Sequence, residues 1–242
     1  MESVVVTSDE EVQGLVRQAD PQVVFHLATH YVKEHVPGDV PLLIQSNIAF
    51  GTHVLEGLRD TSAVVVSAMS FFQFRAGIPA PFSLYSATKQ AFFDISEYYR
   101  SVAGLDIRQV ILYDTFGPGD TRSKLVPLLL AALKEERSVG LGPAAQQINL
   151  LYVDDVVSGL IATAEGKQEP VLCVRSPQNV TVGEVVRTVG EVAGSPVRCT
   201  FDETAEVTDH VLRAGSWPAP TGWDSQRTLA DGLERTWRLS NG

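Results

Sequence analysis

The chain has 242 residues, 44% of them hydrophobic and 20% charged, with a net charge of −10. That length suits one domain, or one with a small annex, and the apolar share argues for a packed core against disorder. The acidic balance excludes long-range attraction to nucleic acid or anionic lipid.

In chain order, short β-rich apolar runs alternate with longer helical stretches. Residues 3–6 (SVVV) read as a first strand. Residues 8–19 read as a capped helix, with Ser8 at the N-cap and Glu11 three residues on. The continuous apolar run 22–28 (QVVFHLA) reads as a buried strand. A long helix follows over 41–60, then a second buried strand over 63–69. The helix that holds Tyr85 spans about 83–103. A strand over 106–114 leads to a Gly-Pro loop at 116–120, and a helix covers 125–136. A short strand at 149–153 precedes a helix that Asp154 or Asp155 caps. A strand at 170–176 is followed by a helix to Ala193, opened by Thr181 and Glu184 as a capping box. The tail holds a last helix.

This alternation argues for an α/β fold, a mostly parallel sheet covered by helices on both faces. Ligands of such sheets bind outside the carboxyl ends of the strands. Residues 26–30, 67–70 and 113–120 fall there. The longest apolar run, residues 125–133, is about half of the roughly 20 residues that span a bilayer, so no membrane span is expected. The two cysteines, Cys173 and Cys199, lack metal-ligand spacing, and no signal peptide shows. A reducing cytoplasm is the expectation. His26 and His30 lie four apart, but across a strand end rather than on one helix, so no metal site is expected.

The stretch YSATK carries the clearest chemistry. Tyr85 and Lys89 sit four apart, which on a helix places both on one face. A free Tyr titrates near pH ~10, and an ammonium within about 4–6 Å lowers that value. Such a pair suits proton transfer beside a reacting carbonyl. The bland alternative is a helix with a partly buried Tyr and a solvated Lys.

Six patterns then extend the reading over most of the chain. VVFHLAT, NIAFGTHVLEG, YSATK, LYDTFGPGD, LLYVDDVVSGL and TGWDSQRTLADGLERTW occur in the order found in the extended short-chain dehydrogenase/reductases. The chain resembles that family, in its nucleotide-sugar epimerase/dehydratase/ketoreductase group. SFFQF and YDTFGPGDTRSKLVPLL are most similar to 4-ketoreductases of CDP- or TDP-linked deoxysugars. The resemblance implies a Rossmann-like doubly wound core over residues 1–140 and, over 141–242, mainly a small substrate lobe. It implies Tyr85 as general acid or base and Lys89 as its tuner. In that family the Lys also holds the nicotinamide ribose, which the resemblance implies for Lys89. The orienting hydroxyl falls on Ser70 in one register, while the other places Met69 there. NAD or NADP would meet Leu27, Ala28, Thr29, Lys89 and Tyr113. A nucleotide-sugar substrate would meet Phe71, Gln73, Asp114 and Arg122, with a plain surface Arg as the other reading of Arg122. Asp114 stands where the family has an Asn. Asn47 is expected to anchor backbone between strands. MSFFQ has no Asp-Glu pair after the hydroxyl residue, which disfavours 4,6-dehydration.

One departure is large. Family members begin with a strand, a Gly-rich turn, a helix and a second strand, whereas Met1 falls about where the third strand would be. The pyrophosphate cradle of a Gly-rich turn and helix N-terminus is therefore absent from the motif series, and the 22–28 strand is expected to have an open edge. NAD(P) binding by this chain alone is expected to be weak or nil. The leading reading is an NAD(P)-dependent reductase or epimerase of a nucleotide-linked 4-keto deoxysugar. The alternative is a repurposed member without NAD(P), acting as a cofactor-free acid–base enzyme or a binding partner. A homodimer through helices 41–60 and 83–103 is also expected, from two apolar faces on the second. One holds Phe92, Ile95 and Tyr99, the other Phe93 and Ser96.

Overall fold

A computed structural model of the chain describes residues 8–208 and 215–240. The strand expected over 3–6 lies outside the described residues. The described chain runs α1 (Asp9–Ala19), β1 (Val23–His26), α2 (Asp39–Ile44), a π-helical turn (Gln45–Ala49), α3 (Phe50–Leu58) and β2 (Val64–Ser70). A 3-10 turn (Phe71–Gln73), the short strands β3 (Phe74–Arg75) and β4 (Ile78–Pro79), α4 (Leu84–Ser101) and β5 (Asp106–Leu112) follow. Then come β6 (Asp114–Phe116), α5 (Leu125–Lys134), β7 (Val139–Leu141), β8 (Gln147–Ile148), β9 (Leu150–Tyr152) and α6 (Val153–Ala164). The chain ends with β10 (Val171–Val174), β11 (Val180–Thr181), α7 (Val182–Ala193), β12 (Cys199–Phe201) and α8 (Leu229–Ser240).

Two compact units emerge. The first holds Met1–Ile111, Leu160–Cys173 and Arg213–Thr221, the second Leu112–Gly159, Val174–Leu212 and Gly222–Gly242. The first is built on a four-stranded sheet in the order β1-β2-β5-β10. β1 and β2 run parallel, with Val23 opposite Val64 and His26 opposite Ser67. This is the α/β arrangement expected from the alternation of strands and helices, and it agrees with the Rossmann-like core that the resemblance implied. Its core gathers Leu43, Leu55, Leu58, Val66, Met69, Phe92 and Ile107, each at most 2% exposed. β1 is an edge strand among the described residues. Val23 and Phe25 alternate along it and Leu27 follows just past its end, at 38%, 42% and 50% exposure, so one apolar face of this strand meets solvent.

The second unit packs α5, α7 and α8 around Phe116, Leu129, Leu150, Tyr152, Val185 and Leu233. Phe116 and Tyr152 meet edge to face at 5.7 Å. Gly232 of α8 makes room for them, since a Cβ there would lie 2.8 Å from Phe116 Cζ.

Local chemistry sets the helix ends. Ser8 Oγ accepts from Glu11 N at 3.2 Å, and Thr181 and Glu184 form the expected capping box at the start of α7. One cap expectation is corrected. α6 begins at Val153, which puts Asp154 and Asp155 inside its first turn. Asp155 is 3% exposed and accepts from Gln226 N at 3.1 Å and Arg227 N at 3.0 Å. A buried carboxylate goes to the backbone donors that would otherwise be orphaned, and here those belong to the tail. No helix among the described residues is long and apolar enough to cross a membrane.

Candidate active site

The long helix expected over 41–60 is interrupted. α2 passes through the π-helical turn into α3, and Asn47 sits in that turn, fully buried. Asn47 Oδ1 accepts from Thr29 Oγ1 at 3.0 Å and from His30 N at 2.7 Å. Its Nδ2 donates to His30 O and to Thr88 Oγ1, both at 3.0 Å. Thr88 Oγ1 in turn donates to Tyr85 O at 2.8 Å. One amide thus ties the loop after β1 to the first turns of α4, where the sequence suggested an anchor between strands. π turns of this kind recur at functional sites.

α4 begins on a capping box between Ser83 and Ser86. Tyr85 is half-buried, and its ring lies edge-on to Tyr31 with centroids 5.0 Å apart. Lys89, one turn on, is 4% exposed and donates from Nζ to Ala68 O at 2.6 Å. Burial without a carboxylate partner pulls its pKa down to about 8. The solvated-Lys alternative is therefore not what the structure has. The anchor carbonyl lies on β2, two residues before Ser70.

Ser70 ends β2 and caps the 3-10 turn. Its Oγ accepts from Phe72 N at 3.3 Å, and its own N–H donates to Gln73 Oε1 at 2.8 Å. Met69 is in the core at 2% exposure. Phe71 is buried beside it at 2%, and Gln73 is fully buried with its Nε2 bonded to Gln90 Oε1 at 3.3 Å. Leu27, Ala28 and Thr29 are exposed at the end of β1. In the first unit Lys89 thus ties α4, which carries Tyr85 one turn earlier, to β2, which ends in Ser70.

Two buried groups behind this site were not singled out as functional from the sequence. His26 packs between Phe50 and Phe92, at 6.0 and 5.0 Å between ring centroids. Burial first, and the Lys89 charge second, pull its pKa down to about 4, so it is neutral at pH 7. His26 Nε2 and Oγ of its strand neighbour Ser67 have no hydrogen-bond partner among the described residues. The HLA pattern marked His26, but only the fold shows its burial.

Tyr113, Asp114 and Arg122 belong to the second unit. Tyr113 is buried, with the Arg175 guanidinium 5.9 Å above its ring. Lys124 Nζ donates to Asp114 Oδ1 at 2.7 Å, which neutralises the negative charge that set Asp114 apart. Lys124 carried no signal in the sequence. Arg122 is exposed and holds both oxygens of Asp120, with Nε–Oδ1 and Nη2–Oδ2 each at 2.8 Å. Its Nη2 also donates to Thr115 O at 3.2 Å. No group of three or more His, Cys, Asp or Glu among the described residues is placed to hold a metal.

A family model described as "NAD dependent epimerase/dehydratase family" matches residues 1–172. The chain belongs to that family. Among curated members similar to this epimerase/dehydratase-family chain is a CDP-abequose synthase of Yersinia pseudotuberculosis, 23% identical over 72% of this chain and 64% of that one. A UDP-glucuronate 4-epimerase of Thermodesulfobacterium geofontis is 23% identical over 87% of this chain and 67% of its own length. The chain thus spans about two thirds of these relatives. Among solved structures, a UDP-glucuronic acid 4-epimerase from Bacillus cereus in complex with UDP-glucuronic acid and NAD superposes with a TM-score of 0.81. That match covers 95% of this chain and 78% of the other at 18% identity, a likeness of fold.

Proposed function

We propose that the chain provides the catalytic residues of an NAD(P)-dependent reductase or epimerase acting on a nucleotide-linked 4-keto deoxysugar. The observation that carries this reading is Lys89, a buried ammonium one helical turn after Tyr85 and clamped to the strand that ends in Ser70. Tyr85 Oη gives its proton to the substrate C4 oxygen during reduction and takes it back in the reverse direction. Lys89 stabilises the phenolate that remains, and Ser70 Oγ donates a hydrogen bond that orients the same carbonyl. Asp114, paired with Lys124, and Arg122 are the candidate contacts to the nucleotide-sugar in the second unit.

Nicotinamide, when bound, supplies or accepts the hydride. The residues present fit its ribose half: an ammonium has three donors, and Lys89 uses one, on Ala68 O, among the described residues. Leu27, Ala28 and Thr29 offer an exposed strand end beside it. The pyrophosphate half is matched less well. α1 opens with acidic Glu10 and Glu11 in its first turn, and α2 opens with Asp39. Carboxylates at helix N-termini compete with phosphate for the same amides. Phe71 and Phe72 stand after Ser70 in place of an acid pair, which supports reduction or epimerisation over dehydration. The relatives' names favour this reading over a cofactor-free one.

Replacing Tyr85 with Phe tests the assignment. Carbonyl reduction by the active enzyme should fall by about 10²–10⁴-fold with the circular dichroism spectrum unchanged. Undiminished reduction would sink the role given to Tyr85.

A further inference from the structure

We infer that Tyr31, which lies in none of the six sequence patterns, is a positioning residue for Tyr85: its ring pins the Tyr85 ring so that the phenol keeps one place on the Lys89 face of α4. The reaction that this serves rests on the proposed function above, whereas the contact itself lies wholly within the first unit. Both tyrosines are half-buried. Their rings stand at 85° with centroids 5.0 Å apart, the edge-to-face arrangement that aromatic pairs prefer.

Tyr31 lies in the irregular segment between β1 and α2. A loop residue is ordinarily a poor anchor, but this loop is tied at both ends. On the near side, Asn47 holds both backbone polar groups of the preceding residue. His30 N donates to Asn47 Oδ1 at 2.7 Å, and His30 O, in the peptide that leads into Tyr31, accepts from Asn47 Nδ2 at 3.0 Å. On the far side, Val36 N donates to Asp39 Oδ2 at 2.8 Å, and Asp39 N donates to Val36 O at 2.9 Å. The Tyr85 backbone is reached from the same amide, since Asn47 Nδ2 donates to Thr88 Oγ1 and Thr88 Oγ1 donates to Tyr85 O. Asn47 thus sets where both aromatic side chains begin, and the ring contact is where they meet.

Helix spacing puts Tyr85 and Lys89 on one face. It does not settle where the phenol lies, because the ring turns about two side-chain bonds and the hydroxyl is at its far end. A ring packed across it restricts that swing. Proton transfer needs about 2.6–3.2 Å between heavy atoms, and a misplacement of about 1 Å costs on the order of 100-fold in rate. The role asks for the ring of Tyr31 and not for its hydroxyl, which separates Tyr31→Phe from variants without a ring.

Two measurements on the full chain test this, with Tyr31→Leu and Tyr31→Met as the ringless variants. The first is aromatic carbon relaxation by NMR on ring-labelled tyrosine, without cofactor or substrate, with the Tyr85 signal assigned by its loss in Tyr85→Phe. The wild type and Tyr31→Phe should show an ordered Tyr85 ring. The ringless variants should show a mobile one, on a scale where an order parameter of about 0.85 is rigid and below about 0.6 flexible. The second is reduction of CDP- or TDP-4-keto-6-deoxyglucose with NADPH or NADH. The ringless variants should lose about 10–100-fold in kcat with KM within about threefold, and Tyr31→Phe should stay within about threefold in both. A Tyr85 ring as ordered in the ringless variants as in the wild type would overturn the inference. So would a Tyr31→Phe that fails as they do, or a raised KM at unchanged kcat. A wild type that reduces neither substrate would overturn the functional reading alone, and the relaxation data would still decide whether Tyr31 holds Tyr85.

Discussion

At the scale of single residues, Lys89 is a cation held in the core against its desolvation. Moving its pKa from 10.5 to about 8 corresponds to roughly 3 kcal/mol against the charged form. The folded-state value is depressed, so stability from this group is lowest below about pH 8 and rises as pH climbs toward 10.5. Lys89→Met should therefore stabilise the fold near pH 7 by about 1–2 kcal/mol, after roughly 1 kcal/mol for the lost bond to Ala68 O. Urea melts should show that gain shrinking between pH 8 and 10.5, and under the proposed function carbonyl reduction should be lost. A variant less stable than wild type at pH 7 would contradict this account. The spacing of Tyr85 and Lys89 was legible in the sequence because it depends only on helix geometry. The depth of Lys89 was not, because burial comes from β2 packing across 21 residues of chain. Lys124 beside Asp114 escaped notice for the same reason: a pair ten residues apart is made by the turn between them.

Gly51 shows what the elements demand of each other. A Cβ there would lie 2.5 Å from Phe92 Cε2 and 2.8 Å from His26 Nε2. α3 thus presses bare backbone onto α4 and the end of β1. Gly51→Ala should cost about 1–3 kcal/mol by overpacking, read as a lower urea midpoint with an unchanged slope. Equal stability would mean that Phe92 and His26 move aside freely. Element types were largely readable because apolar runs and caps are local signals. Ser8 and Thr181 begin helices where their side chains predicted. The π turn was not readable, because it follows from four bonds that Asn47 makes to distant partners. The faces of α4 also needed the fold. Phe92, Tyr99 and Ser96 are all buried, and the outward apolar residues are Tyr98 and Val102, at 50% and 71% exposure.

Those outward residues bear on the whole molecule. With Leu42 and Ile44 of α2 they are exposed apolar side chains on the two helical segments expected to meet a second copy. We propose a homodimer, and sedimentation at micromolar concentration should give about twice the 26.3 kDa of one chain. Val102→Glu with Tyr98→Glu should return it to one, and a monomeric wild type would refute the dimer. The fold class was legible at this scale because alternating elements leave few topologies. The membership of the two units was not, since each is assembled from three separated stretches of chain. β1, an edge strand among the described residues, presents Val23 and Phe25 to solvent with Leu27 just past its end, and such an edge can extend a sheet into another molecule. The chain's net charge of −10 opposes that encounter by mutual repulsion. Screening shortens the reach of this repulsion from about 30 Å at 0.01 M salt to about 3 Å at 1 M. Colloidal stability therefore depends on ionic strength, and dilute buffers keep the protein dispersed where concentrated salt lets strand edges meet.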